Sequence, residues 1–408
     1  GGRRITVRVV GGGGRDVFRD EVSGPAGATL LYDGGAETAF LPGGSATLVR
    51  ASHSPPLSWW EERRELDWGT QTIPQPTASY DDDRGLVLMP GLDYRHFDFG
   101  KSPFGTRIQL KAGWSLALHE PVVDLRYLGR RVLLDGDLRL HVRWSGIEII
   151  NFYGFGNETT TNRSKDFHRI SHKQVSTTLA LSFGEVESTY VELGPTFVYT
   201  STDTTSEASF IALEDPYGGG RFARIGVRTA FGFDSRDHRG RPTRGTRFSG
   251  ELGSYPGLLD VESGFQEARG QISGYFSPLG DRPVLALRAA GEKLWGEVPF
   301  PSAAFLGGPT TVRSLRLQRY AGDALLLGSA ELRMPVWRVF YPMPLDIGLY
   351  ALADVGRVWA PGESSGVWHS ALGGGVFFGL IDRSEVVRVA VARGAGRTAL
   401  MAGLGFIY

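Results

Sequence analysis

Residues 104–119 read FGTRIQLKAGWSLALH, and apolar and polar side chains alternate through this stretch. The even positions from 108 to 118 are all apolar, whereas the odd positions from 107 to 115 carry arginine, glutamine, lysine, glycine and serine. Successive side chains of a β-strand point to opposite faces. The stretch therefore predicts a long strand with one apolar and one polar face.

The same alternation returns at 138–144, 225–233, 285–292 and 386–393. Strands of soluble proteins average about five or six residues, whereas a barrel strand that crosses a membrane needs about 9–11 tilted residues. The lengths favour a membrane barrel, with lipid on the apolar face and a polar lumen, since only helices and closed sheets satisfy backbone groups in hydrocarbon. A large soluble sandwich or β-helix is the alternative.

Counting upstream from Tyr408 gives an all-β, sixteen-stranded antiparallel transmembrane β-barrel, in which a long loop fills 296–322. The predicted strands are 72–80, 86–99, 106–119, 122–129, 134–148, 167–183, 186–201, 222–234, 244–255, 259–277, 282–294, 323–337, 344–358, 366–379, 384–393 and 398–408. An even strand number with both ends in the periplasm is typical of bacterial outer-membrane barrels. A short β-rich segment precedes the barrel.

Composition excludes several other classes. Glycine supplies 57 of 408 residues without a collagen period, and 44 basic residues balance 44 acidic ones, so no nucleic-acid partner is expected. The absence of cysteine excludes disulfides, thiolate metal sites and thiol catalysis. Val367–Ile381 is too short and too rich in glycine for a membrane helix. The chain opens without methionine or a signal peptide, as expected of a mature or truncated product.

No catalytic or metal-binding pattern is found in the sequence. The H-E-x-x-H motif is absent, and His168 and His172 lack a third ligand nearby. The acidic run Asp81–Asp83 is predicted to be a solvated hairpin turn. We therefore expect no catalytic residue, no metal and no cofactor in this chain.

The last predicted strand reads TALMAGLGFIY, residues 398–408. Its alternation places Leu404, Phe406 and Tyr408 on the lipid face. A terminal aromatic residue on that face resembles the C-terminal sorting signal of bacterial outer-membrane barrels. An aromatic residue of the membrane-interface girdle is the compatible alternative.

Residues 305–335, FLGGPTTVRSLRLQRYAGDALLLGSAELRMP, resemble the sixth outer loop and the following strand of the BamA/TamA-type outer-membrane assembly and translocation superfamily. The V-R-G-F/Y motif of that loop is represented here by Val312, Arg313, Ser314 and Leu315. Residues 352–356, LADVG, resemble the F-x-D-x-G strand motif of the family. The resemblance implies a bacterial outer-membrane protein that inserts or translocates polypeptides or lipids, with this loop folded inward.

Strand alternation places Asp354 inside the barrel, where a planar guanidinium would favour a bidentate carboxylate contact. Arg313 with Asp354 is therefore the predicted pair, and Glu331 and Arg333 are its network. The alternative is that Arg313 is an exposed loop charge. We call the predicted set the loop–lumen lock; its members are Val312, Arg313, Ser314, Leu315, Asp354, Glu331 and Arg333.

Further segments refine the resemblance. Residues 81–86 (DDDRGL) and 151–159 (NFYGFGNET) resemble barrels that follow a calcineurin-like metallophosphoesterase domain, and 234–245 resembles a periplasmic turn of the superfamily. We expect a short β-rich periplasmic remnant of an upstream module at 1–56, a linker at 57–71 and the barrel at 72–408. Residues 11–18 match one copy of a calcium-roll repeat, which is too little to build a roll.

The resemblance also implies a lateral seam where the first and last strands pair poorly. Pro74 and Pro76 remove backbone donors from the first strand, and Gly403 and Gly405 loosen the last. The expected partners are outer-membrane lipid, an unfolded outer-membrane or secreted polypeptide, and a fused upstream domain. The alternatives are an export or display platform for a fused enzyme, and a passive pore lined by Arg107, Lys111, Arg139, Arg143 and Arg228.

Overall fold

The alternation in the sequence becomes a closed antiparallel barrel in the computed structural model. The structure describes residues 7–10, 17–19, 29–32, 39–41, 47–49, 68–99, 101, 103–160, 163–185, 188–205, 209–278, 283–340, 345–380 and 385–408. The predicted all-β barrel of sixteen strands is confirmed within these residues.

The first two strands are each interrupted once, and the other fourteen are continuous. The strands are β1 (Thr70–Pro74 and Thr77–Asp81), β2 (Gly85–Met89 and Gly91–His96), β3 (Thr106–Ser115), β4 (Glu120–Leu133), β5 (Gly136–Ser145), β6 (His172–Gly184), β7 (Thr189–Thr202), β8 (Arg221–Asp234), β9 (Gly245–Tyr255), β10 (Phe265–Phe276), β11 (Val284–Trp295), β12 (Ala324–Val339), β13 (Leu345–Trp359), β14 (His369–Leu380), β15 (Glu385–Gly394) and β16 (Arg397–Leu404).

Side chains alternate between the two faces of the wall as the sequence predicts. In β3, Leu110 and Trp114 face outward and are each 44% exposed, whereas Ser115 at the end of the strand is buried. In β13, Leu349 and Val355 are exposed, and Asp354 points inward. The exposed aliphatic and aromatic band is the surface that a lipid bilayer covers.

Long loops gather at one end of the barrel, which we call the outer end. The loops at 146–171, 203–220 and 296–323 carry α1 (Lys165–His168), α2 (Phe210–Glu214) and a 3-10 turn (Phe300–Ser302). Their apolar side chains form one cluster, in which the rings of Phe152 and Phe300 meet edge to face at 4.7 Å. This cluster packs the three outer loops against one another. Among the described residues, no helix is long and apolar enough to cross a membrane.

The chain divides into two compact units, Gly1–Thr70 with His96–Gly105, and Gln71–Arg95 with Thr106–Tyr408. In the first unit, Val7–Val10, Thr29–Tyr32 and Thr47–Val49 form one parallel sheet, and Val17–Arg19 pairs in parallel with Ala39–Leu41. Residues 11–16 of the predicted calcium-roll repeat and residues 57–67 of the predicted linker lie outside the described residues.

Candidate functional site

The sixth outer loop folds into the barrel between Trp295 and Ala324. It contains a small hairpin, in which Ala304–Leu306 pairs with Tyr320–Gly322. Val312 and Leu315 pack in an apolar cluster with side chains of the inner wall, and both are buried. Apolar packing thus fixes the loop on both sides of its arginine.

Arg313 is 2% exposed and lies against β12 and β13. Its backbone N–H and Nε donate to Oδ2 of Asp354 at 3.1 and 2.8 Å, and Nη2 donates to Oδ1 at 2.7 Å. Nη1 donates to Glu331, which also accepts from Nε and Nη2 of Arg333 at 2.9 and 2.7 Å. The structure brings together the four charged residues that the sequence predicts to meet.

The four charges of the loop–lumen lock alternate and balance. Two guanidinium groups face two carboxylates, and the four side chains are at most 2% exposed. A buried ion pair offsets its desolvation cost only with good geometry and further hydrogen bonds, and the bidentate contact of Arg313 with Asp354 supplies both. These ion pairs therefore hold the loop in one position. Removal of any one of the four side chains would leave a buried charge without its partner.

Gly356, the glycine of LADVG, has no side chain and so leaves space for the sixth loop beside β13. A Cβ atom at this position would lie 2.9 Å from Leu306 Cδ1 and 3.2 Å from Val312 Cγ2. Real Cβ atoms essentially never approach closer than about 3.0 Å, so a side chain here would force Leu306 to shift and would crowd Val312 of the loop. The two residues of the motif therefore have complementary roles. Asp354 binds the loop arginine, and Gly356 allows the loop to pack closely against the wall.

The C-terminal residues differ from the prediction. β16 ends at Leu404, because Gly405 adopts a φ of +73° and turns the chain inward. The guanidinium of Arg333 lies 3.7 Å from the ring centroid of Phe406, and its Nη2 donates to the backbone oxygen of Tyr408 at 3.0 Å. The prediction that Phe406 and Tyr408 face lipid is wrong, whereas Leu404 is exposed as expected.

The seam between β16 and β1 is short. Met401, Ala402 and Gly403 pair with Asp81, Tyr80 and Ser79, which makes three pairs, whereas β15 and β16 share eight. β1 is interrupted after Pro74 and resumes at Thr77, so Pro76 lies in the break. Within the described residues, β16 pairs with the second segment of β1, Thr77–Asp81.

A model of the Omp85 superfamily domain matches residues 107–379, from β3 to β14, including the whole loop–lumen lock. The chain belongs to the Omp85 superfamily. An Omp85 barrel lies in the outer membrane, which agrees with the exposed apolar band. No curated protein sequence matches this chain significantly.

Two solved structures share the fold of this Omp85 barrel. BamA from Haemophilus ducreyi lacking POTRA domains 1-3 matches with a TM-score of 0.59 at 14% identity, over 82% of this chain and 70% of that chain. CdiB from Escherichia coli matches with a TM-score of 0.51 at 10% identity, over 89% of this chain and 65% of that chain. The chain thus spans less than two thirds of the CdiB chain.

The basic residues that would line a passive pore are mostly paired in this Omp85 lumen. Arg107 contacts Asp93 at 2.8 Å, Arg139 contacts Glu192 at 2.6 Å, and Arg143 and Arg228 also lie beside carboxylates. Paired charges weaken the field that a permeating ion would meet. No group of three or more His, Asp or Glu in the described residues could hold a metal ion.

Two contacts were missed by the sequence argument. The Asp81–Asp83 hairpin is not simply solvated, because Asp81 and Asp83 are 6% and 4% exposed and the carboxylate of Asp83 accepts from Nη1 of Arg316 at 3.1 Å. In the turn between β8 and β9, Arg241 reaches across to Asp346 of β13. Both contacts join residues far apart in sequence, so only the closed barrel brings them together. The resemblance of these two segments to superfamily motifs was the available signal.

Proposed function

We propose that this Omp85 barrel inserts or translocates polypeptides, or lipids, by opening laterally between β1 and β16. The observation that carries the proposal is the seam of three pairs beside a neighbouring interface of eight. A strand edge with unpaired N–H and C=O groups is a template for an incoming strand. An unfolded outer-membrane or secreted polypeptide is therefore the proposed substrate, and no covalent chemistry is required.

The loop–lumen lock has a supporting role in this mechanism. The lock lies on β12 and β13 and ties the sixth loop to the part of the wall away from β1. A wall held from inside can stay intact while the seam opens. Phe406 and Tyr408 lie inside the barrel, so together with Leu404 they would act as a sorting signal only before the chain folds.

The test is a disulfide across the seam. Ser79 and Gly403 are register partners, and the chain has no cysteine of its own. We expect Ser79→Cys with Gly403→Cys, once oxidised, to abolish growth and secretion in a strain that depends on this protein, and reductant to restore both. The matched control is Gly291→Cys with Leu326→Cys, register partners in β11 and β12.

The locked barrel also separates the rival functions. If the oxidised Ser79–Gly403 variant supports growth and secretion as well as its reduced form, the lateral gate is refuted and a display platform is favoured. A passive pore would keep its solute diffusion when locked. An insertase or translocase would lose its activity, because its substrate must enter between the two strands.

The upstream module is a separate part of the proposal. The segments 81–86 and 151–159 support a barrel that follows a calcineurin-like metallophosphoesterase domain, with residues 1–56 as its periplasmic remnant and 57–71 as a linker. The sequence of the full-length gene tests this. An intact phosphoesterase upstream would support a fused platform, whereas tandem substrate-docking domains would support the insertase alone.

A further inference from the structure

The turn between β1 and β2 carries three consecutive aspartates at the outer end of the seam. Like charges on adjacent positions repel, so such a run is expected in water unless each carboxylate has its own partner. Asp81 serves the turn itself, because it accepts from the backbone N–H groups of Asp83 and Arg84 at 3.0 and 2.8 Å and from Arg84 Nε at 2.7 Å. The other two carboxylates face other elements.

Asp82 reaches across the seam. Its Oδ2 accepts from Nη2 of Arg397 at 3.0 Å and from the backbone N–H of Leu400 at 3.4 Å, and both donors belong to β16. Nη1 of the same Arg397 donates to the backbone oxygen of Ser314 at 3.0 Å. One guanidinium on the last strand therefore contacts both the β1–β2 turn and the residue next to Arg313.

Asp83 holds the sixth loop instead. Its carboxylate accepts from Nη1 of Arg316 at 3.1 Å and from the backbone N–H of Leu317 at 2.8 Å. Lys165 of the third outer loop lies 3.4 Å away, and Arg169 donates to the backbone oxygen of Asp83 at 2.7 Å. The hairpin is thus bound to two outer loops as well as to β16.

We propose that the Asp81–Asp83 hairpin is a clasp that couples the outer end of the seam to the sixth loop. This proposal rests on the proposed lateral opening and names how it is regulated. The seam cannot part at its outer end without separating Asp82 from Arg397. Movement of the loop removes Ser314 from Arg397 and Arg316 from Asp83, so it weakens the same closure.

The exposure of the clasp suits a contact that breaks and re-forms. The side chains of Asp82 and Arg397 are 30% and 23% exposed, and a partly hydrated ion pair contributes little stability by itself. The loop–lumen lock, by contrast, is dry. Two sites are coupled when both bias one two-state element, and here that element is the β1–β16 edge.

The experiment measures the width of the seam directly. Spin labels on Leu86→Cys in β2 and Thr398→Cys in β16, both exposed, report the distance across the outer end by pulsed electron paramagnetic resonance in lipid vesicles. We expect one closed population in the parent protein. Asp82→Asn and Arg397→Gln should each add a longer-distance population, and the double variant should add no more than either single change.

Two further variants sharpen the result. Arg393→Gln removes an exposed arginine from the adjacent strand β15 and should leave the distances unchanged. Asp83→Asn does not touch β16 but should still add the longer population, because it releases the sixth loop. Heat-modifiable migration on a denaturing gel shows that each variant is folded.

Unchanged distances in both Asp82→Asn and Arg397→Gln would overturn the clasp. A longer population with Asp82→Asn but not with Asp83→Asn would overturn the coupling to the loop. The readout is a distance and not an activity, so failure of the clasp leaves the disulfide test of the lateral gate unaffected. Failure of that gate test would in turn leave the measured clasp without its proposed role.

Discussion

Substitution of Arg313 by alanine perturbs the loop–lumen lock at its centre. The change removes two hydrogen bonds from Asp354 and one from Glu331, and leaves Asp354 with the backbone N–H of residue 313 at 3.1 Å. The cluster then holds two carboxylates and only Arg333. Breaking a buried pair in this way costs about 3–5 kcal/mol, and the lower end applies where lumen water reaches the carboxylates.

Unfolding by urea in lipid vesicles, followed by the fluorescence of the nine tryptophans, measures this cost. Arg393→Ala, an exposed arginine on β15, is the matched control and should change stability little. Arg313→Ala combined with Asp354→Ala should cost less than the sum of the single changes, with a coupling of about 0.5–3 kcal/mol. Arg313→Asp with Asp354→Arg should recover part of the loss. Full additivity would refute the pair.

Two predictions concern regions outside the membrane-spanning strands. Burial, reinforced by Arg319, lowers the pKa of His168 below its ordinary value of 6.5 although the backbone oxygen of Phe152 opposes the shift. Its contribution to stability is therefore present above that value and is lost as the pH falls below 6.5. Proteolysis of the third outer loop should accelerate there, and His168→Gln should flatten the dependence; a parent protein without acid sensitivity would contradict this. Asp237 accepts from the N–H groups of Thr243 and Arg244 at 2.9 and 3.1 Å, so Asp237→Ala should cost about 1 kcal/mol in urea unfolding, with Asp237→Asn closer to the parent; equal stability of all three would argue against the turn's role.

The barrel could be predicted from the sequence because a strand with two different environments imposes period 2 on its residues. Most strand ends lie within a few residues of the prediction, but β3 stops at Ser115 because the next residues form a turn, in which His119 has a φ of +55°. The pair of Arg313 with Asp354 was accessible because alternation fixed the direction of the carboxylate and the motif supplied the loop arginine.

The remaining contacts depend on closure of the barrel. Period-2 alternation predicts that Phe406 and Tyr408 face lipid. The positive φ of Gly405 reverses their direction, and the only local signal for this change in the sequence is the glycine itself. The partner of Asp82 is Arg397, 315 positions away. No spacing rule reaches so far, so the sequence alone predicts a hydrated turn for the acidic run.

Hydrogen–deuterium exchange tests the weakness of the seam most directly. We expect faster exchange in peptides from the second segment of β1, Thr77–Asp81, and from Met401–Gly403 of β16 than in peptides from β11 and β12. The β11–β12 interface has ten pairs. Oxidation of the Ser79→Cys, Gly403→Cys variant should slow this exchange. Equal protection of the β1–β16 and β11–β12 interfaces in the parent protein would contradict lateral opening.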